Sequence, residues 1–311
     1  MIEVENLSKF YGPRPAINNL TFHVATGEVV GFLGPNGAGK TTTMNILTCI
    51  LPASSGRARI CNHDVFEESL AIRKKIGYLP ETPPVYPDMT VQDYLAFAAK
   101  LRRVPSAEVS RAVDRVVAKC VLKDVQGRII GKLSKGFQQR VGLAQSMIHD
   151  PEILILDEPT VGLDPIQIIE IRKLIKELAQ SHTILLSSHI LPEVTMICNR
   201  VIIINEGQIA AEDSLEGLTS SLRKSERLLL RVQHWDNSVA EKLSALDRVL
   251  TVTPQEPGEF LIECEIDSHL QDAIARLALE QAWGLLELRP LAMTLEDVFL
   301  KLTLEESEVK A

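Results

Sequence analysis

The run "GPNGAGKTT" (Gly34, Pro35, Asn36, Gly37, Ala38, Gly39, Lys40, Thr41 and Thr42) carries the strongest chemical signal in the chain. Gly34, Gly39, Lys40 and Thr41 fit the pattern G-x-x-x-x-G-K-[ST]. A backbone that wraps its N–H groups around phosphate oxygens has no room for side chains, which accounts for the glycines. Lys40 supplies a point charge for outer phosphates and Thr41 a hydroxyl for Mg2+. The helix expected next aims its positive end at the anion. Taken alone, the loop also reads as a structural glycine turn. The apolar "VVGFL" before it and the helical pattern after it favour a nucleotide site.

Two further stretches supply what phosphate chemistry needs. In "ILILDEPT" four apolar residues run into Asp157 and Glu158. Ligands of open α/β sheets gather at the carboxyl ends of strands. There Asp157 can hold the Mg2+ shell and Glu158 can polarise an attacking water. By itself such a pair also fits the acidic start of a helix; beside a phosphate loop the functional reading prevails. His189, in "LLSSHI", ends another buried strand. A lone histidine there is more often structural. Its strand should lie beside the one ending at Asp157, which puts the imidazole within reach of a γ-phosphate. A second anion-facing loop, "LSKGFQQRVGLAQ", places Ser134 and Gly136 at the start of a helical pattern.

The elements that must position these residues follow an alternating pattern. Val29–Leu33, Glu152–Asp157, Thr183–Ser188 and Arg200–Asn205 read as buried strands, and Gly56–Ile60 as another strand. Thr41–Leu51 and Ile166–Gln180 read as helices. Continuous apolar strands between helices imply a parallel sheet covered on both faces. A helical block at about 88–150 interrupts it, with Thr90 and Ser106 as expected N-caps. Beyond Leu222 the order becomes β-α-β-β-α-β, the ferredoxin-like split βαβ pattern, closed by a helix at Thr294–Leu302. The expected fold is therefore α/β over residues 1–222 with a small α+β domain at 224–311.

Composition bounds the partners. The chain has 311 residues and a net charge of −8. Residues 221–311 hold 10 Lys+Arg against 17 Asp+Glu, so the C-terminal part carries nearly all of that charge. No basic stripe suited to nucleic acid is present, so no direct nucleic-acid partner is expected. Cys49, Cys61, Cys120, Cys198 and Cys264 form no C-x-x-C pair, as expected of reduced thiols in a cytosolic protein. The opening "MIEVENLSKFYG" lacks the basic patch and apolar run of a signal peptide. No stretch approaches the roughly 20 apolar residues of a membrane span. The expectation is a soluble chain without a covalent membrane anchor, whose membrane role comes through a partner.

These motifs, in this order, resemble the ATP-binding subunits of ABC transporters over about residues 1–220. Gly34–Thr42 looks like their Walker A, Ile153–Glu158 like their Walker B and "LSKGFQQR" like their signature. Asp164 in "VGLD" is similar to their D-loop, and His189 to their switch histidine. Tyr11 stands where the family stacks an aromatic ring on adenine, and Glu81, in "YLPE", at the Q-loop. The resemblance implies ATP as substrate, with Mg2+ held by Thr41, Asp157 and Glu81. It also implies a second ATPase subunit, in the simplest case another copy, whose signature loop closes over this chain's nucleotide. Separate polytopic membrane subunits at the cytoplasmic face of the cell membrane would take up the motion. "GYLPE" and "TLEDVFLKLT" resemble the branch serving bacterial type-2 exporters, including gliding-motility-type subunits. Two motifs depart from the pattern. Lys135 and Phe137 change the usual LSGGQ signature, and Glu81 replaces a glutamine, adding charge and removing a donor. A soluble ABC ATPase acting on ribosomes or DNA is the alternative, but such relatives generally carry two cassettes or a long coiled coil. A non-hydrolysing cassette is disfavoured by intact Lys40, Asp157, Glu158 and His189.

Overall fold

The computed structural model describes residues 1–214, 217–218, 226–265 and 270–291. They divide near residue 215 into two compact units. In the first, β1 (Ile2–Tyr11), β2 (Arg14–Val24), β4 (Ser55–Ile60) and β5 (His63–Asp64) form an antiparallel sheet in the order β2-β1-β4-β5. A second sheet runs β10-β9-β3-β8-β7-β6. Its members are β3 (Val29–Leu33), β6 (Ile76–Leu79), β7 (Ile153–Asp157), β8 (Thr183–Ser188), β9 (Arg200–Asn205) and β10 (Gln208–Ser214). All pairs in it are parallel except β9 with β10. Every residue of β3, β7 and β8 is buried, as strands covered on both faces require.

Among the described residues, seven helices of at least seven residues belong to this unit: α1 (Lys40–Leu47), α2 (Ser69–Lys75), α3 (Val91–Leu101), α4 (Val109–Lys119), α5 (Lys135–Ser146), α6 (Pro165–Leu178) and α7 (Leu191–Ile197). Ile2, Ile17 and Phe22 from the antiparallel sheet share one core with Met44 of α1 and Phe32, Ile155 and Ile202 of the parallel sheet. This core fixes α1, and with it the phosphate loop, against the strand ends. The expected cap at Thr90 is present: its hydroxyl accepts from Asp93 N at 3.2 Å and lies 2.6 Å from the Asp93 carboxylate. The cap expected at Ser106 is not. Ser106–Glu108 is a single 3₁₀ turn, and α4 starts after Glu108 with no side-chain cap bond. Burial of Val109, Ala112, Val113, Val116 and Val117 on one face holds that helix instead, each valine contributing about 1.5–3 kcal/mol. Gly56–Ile60 is a strand, but of the antiparallel sheet. Helices α1 and α6 stop short of the expected Leu51 and Gln180.

The second unit contains β11 (Glu226–Val232), α8 (Asn237–Ser244), β12 (Val249–Pro254), β13 (Glu259–Cys264), α9 (Leu270–Glu280) and β14 (Leu285–Leu291). Its antiparallel sheet has the order β12-β13-β11-β14, so β13 separates two strands joined through α8. Phe260, Ile262 and Cys264 alternate inward along β13 and pack with Leu228, Leu230, Val239, Leu243, Ile274 and Trp283. The helix expected at Thr294–Leu302 and the boundary expected at 222–224 lie outside the described residues. All five cysteines are free thiols. Among the described residues no helix is long and apolar enough to cross a membrane.

Candidate functional site

The phosphate loop leaves the buried end of β3 and turns directly into α1. Two glycines are enforced by geometry. A Cβ on Gly34 would lie 2.3 Å from the Ile204 carbonyl oxygen. Gly39 sits at φ +104, with the Ala16 carbonyl 2.6 Å from where its Cβ would stand. The loop closes over a cleft of about 510 Å³ lined by Asn36, Gly37, Gly39, Lys40, Thr41 and Thr42, with Ala16, Glu81, Glu158, Val161 and His189. Residues expected from four separate stretches therefore meet in one place.

Lys40 is 5% exposed. Its Nζ donates to the Gly34 carbonyl at 2.8 Å and the Pro35 carbonyl at 3.1 Å, and lies 3.4 Å from Glu158 Oε1. The loop's own carbonyls thus hold the ammonium where an outer phosphate would compete for it. Ala38 is buried beneath the loop.

Strands β7 and β8 are parallel neighbours, with Asp157 opposite Ser187, as the position of His189 required. His189 Nδ1 lies 2.9 Å from Glu158 Oε2, where a ring N–H donates to the carboxylate. Glu158 is 5% exposed and has φ +49, a left-handed conformation that costs about 1 kcal/mol or more for a non-glycine residue. The core of β7 and β8 holds it there, and Ser187 Oγ accepts its backbone N–H at 3.0 Å.

Asp157 is 1% exposed. Its Oδ1 accepts from Ser187 Oγ at 2.5 Å and Thr41 Oγ1 at 3.4 Å, while its buried Oδ2 has no protein partner. Burial pushes the carboxyl above the usual range. The two hydroxyl bonds oppose that, and the nearby charges of Glu158 and Glu81 add to it. A cation at Oδ2 would relieve this cost. Ser187 was not foreseen as a site residue. The signal was present in "TILLSS", a buried strand ending in two serines.

Tyr11, Ser134, Gly136 and Asp164 are not among the residues lining this cleft. Tyr11 is 57% exposed at the end of β1, with Lys9 Nζ 5.5 Å from its ring centre. Ser134 caps α5, accepting from Phe137 N at 3.4 Å, and Asp164 caps α6, accepting from Gln167 N at 2.9 Å. The two helix starts interlock: Gln167 occupies the space a Cβ on Gly136 would need, and Lys135 packs over Gly162, which has φ +71. The unusual lysine of the signature loop therefore lies against the chain's own Val161–Asp164 segment.

A P-loop, a carboxylate pair at the neighbouring strand end and a histidine on the next strand define a P-loop nucleoside triphosphatase. Comparison with known proteins narrows the class. The family described as "ABC transporter" matches residues 17–161. The bacitracin transport ATP-binding protein BcrA of Bacillus licheniformis is 35% identical over 97% of this chain and 97% of its own length. The linearmycin resistance ATP-binding protein LnrL of Bacillus subtilis (strain 168) is 30% identical, over 97% and 98%. Among solved structures, a dimeric ATP-binding cassette in a post-hydrolysis state bound to ADP and Pi is similar, with a TM-score of 0.64. It is 25% identical, over 69% of this chain and 99% of that one. The chain belongs to the ATP-binding proteins of ABC transporters. It is an ABC ATPase.

Proposed function

We propose that the chain powers an exporter: two copies close head to tail over ATP, hydrolyse it and reopen, and separate membrane subunits take up the motion. The observation that carries this reading is the division of the motif residues. Lys40, Thr41, Glu158 and His189 line one cleft, while Ser134 and Gly136 lie outside it in the same chain. Each chain then offers half of two sites. The similar dimeric cassette supports this arrangement. Cargo selection is left to the membrane subunits, since relatives are named for bacitracin transport, linearmycin resistance and Nod factor export.

Within the cleft the loop amides and Lys40 hold the phosphates. Glu158 accepts a proton from water as the water oxygen bonds to the γ-phosphorus and the bond to the leaving ADP oxygen breaks. His189, on the other carboxylate oxygen, fixes the orientation of Glu158. The residues present fit Mg2+: Thr41 Oγ1 and the unpartnered Asp157 Oδ2 would hold it, with Glu81 also on the cleft wall. No cluster of three or more His, Cys, Asp or Glu side chains suited to a metal exists among the described residues. Bound beside Thr41 and Asp157, Mg2+ would neutralise charge on the β- and γ-phosphates.

The test is to recover the tagged chain from solubilised cells. The transport reading expects a polytopic membrane protein in stoichiometric amount and ATP hydrolysis by the recovered complex. Recovery with ribosomes or DNA and no membrane protein would replace it with the soluble alternative.

A further inference from the structure

A second cleft in the first unit, about 710 Å³, lies away from the nucleotide residues, where α2, α3 and α5 end and α4 begins. Five of its lining residues are cationic and two are acidic. In a chain whose net charge is −8, this is a local concentration of positive charge.

Part of that charge answers the helix ends. Arg102 donates to the Arg73 carbonyl at 2.8 Å. Arg115 donates to the Ile148 carbonyl at 3.1 Å and lies 3.8 Å from Asp150. Cations at the C-termini of α2, α3 and α5 complement their dipoles. These two guanidiniums are therefore fixed structurally, and they form the floor of the cleft rather than its free charge.

The remaining cations are not accounted for in this way. Lys74, Arg103 and Arg111 have no hydrogen-bond or ion-pair partner for their charged ends among the described residues, and Glu108 is the acid left beside them. Arg103 is also held at φ +61. His149 lines the same cleft. Its Nε2 lies 3.0 Å from the Ile76 carbonyl, and its buried Nδ1 has no partner. Burial lowers its pKa to about 4, so it is neutral near pH 7 and adds no charge of its own. Arg102 is itself shifted down, first by burial and then by the charge of Arg73. An anion placed in the cleft would meet the unpaired charges of Lys74, Arg103 and Arg111.

We propose that this cleft binds a phosphate group carrying two or more negative charges, through Lys74, Arg103 and Arg111. Arginine forks match phosphate oxygens in pairs and lysine adds a point charge. Three unpaired cations against the one unpaired acid, Glu108, favour the more highly charged anion. The position gives the site a consequence. Residues 148–150 connect α5, which begins beside Ser134, to β7, which ends at Asp157. A ligand held there grips the segment between the signature loop and the hydrolytic carboxylates.

The test uses the full chain carrying Lys40→Ala, so that the nucleotide cleft does not compete, titrated with inorganic tripolyphosphate in a calorimeter. The same chain with Arg103→Gln and Arg111→Gln added should bind at least about tenfold more weakly. ATP hydrolysis by the double variant with Lys40 intact shows that the fold is kept; if it is lost, Lys74→Gln takes its place. A parallel arm measures cosedimentation with phosphatidic acid vesicles, whose phosphate monoester can carry two charges, against phosphatidylcholine vesicles. Variant-sensitive tripolyphosphate binding assigns the site to a soluble phosphate. Variant-sensitive binding to phosphatidic acid vesicles alone assigns it to a lipid headgroup. Absence of both, or binding that the substitutions leave unchanged, overturns the proposal.

Discussion

Glu158→Gln separates binding from chemistry. The glutamine has nearly the same volume as Glu158 and keeps one carbonyl oxygen, so the 5%-exposed position stays filled. The amide NH2 must face either Lys40 Nζ, now 3.4 Å from one carboxylate oxygen, or His189 Nδ1, 2.9 Å from the other. Facing Lys40 it loses that contact, whereas facing His189 it can donate to Nδ1 of the other imidazole tautomer. Against this, a buried negative charge is removed from beside the phosphates, which favours ATP. Affinity for ATP should therefore change by less than about tenfold, or 1.4 kcal/mol. Turnover loses its proton acceptor, and kcat should fall about 10²–10⁴-fold. That corresponds to about 3–5 kcal/mol of transition-state stabilisation. Phosphate release under saturating ATP gives kcat, and equilibrium binding of a fluorescent ATP gives Kd. A kcat within about threefold of the unsubstituted chain, with Kd unchanged, would remove Glu158 from the role of base.

Gly34→Ala should weaken ATP binding by about tenfold or more and lower stability by roughly 1–3 kcal/mol, because its Cβ would enter the Ile204 carbonyl; denaturant titration and nucleotide binding check both. Asp157→Asn abolishes hydrolysis but should stabilise the nucleotide-free chain at neutral pH. The folded state raises the Asp157 pKa, so the charged form costs stability above the folded pKa, and this cost disappears below the unfolded value. The gain in Tm from Asp157→Asn should accordingly shrink as pH falls through the range between these two values, and a gain that grew with acidity would contradict the burial argument. Deleting residues 224–311 should leave a folded cassette that binds ATP, since every cleft residue precedes 190; an insoluble or non-binding truncation would show that the two parts do not fold independently.

What the sequence made legible depended on how each feature is encoded. The phosphate loop, Asp157, Glu158 and His189 were readable because one strand end constrains several consecutive residue types. The adjacency of β7 and β8 followed from their continuous apolar runs. Strands β1 and β2 were missed for a physical reason. Their pairing shifts register between Val4 and Leu7, between Leu7 and Lys9 and again between Lys9 and Phe10, and Asn6 has φ +50. Alternation of apolar and polar residues, the signal for a half-buried strand, is broken at each of these points. Ser106 misled because a serine before a helical run signals a cap only if the chain turns there, and here a 3₁₀ turn intervenes. Ser187 escaped because its importance lies in a contact with Asp157, thirty positions away in sequence. In the second unit the element order was legible from β13 and its neighbours, whereas nothing in the residue types pointed to a site.

The central claim is that each ATP lies between Lys40 of one chain and Ser134 of another, and it is tested most directly by mixing two broken chains. Lys40→Ala removes the phosphate cation, and Ser134→Arg obstructs the signature contact more completely than loss of one hydrogen bond of about 1 kcal/mol would. Homodimers of either variant have one broken half in every site. A mixed dimer has one site with both halves intact and one with both broken. ATP-dependent dimer closure, read by energy transfer between labels on the two variants, should therefore appear in the mixture and in neither parent alone. Absence of closure beyond either parent, with mixed dimers shown to form, would contradict the shared site.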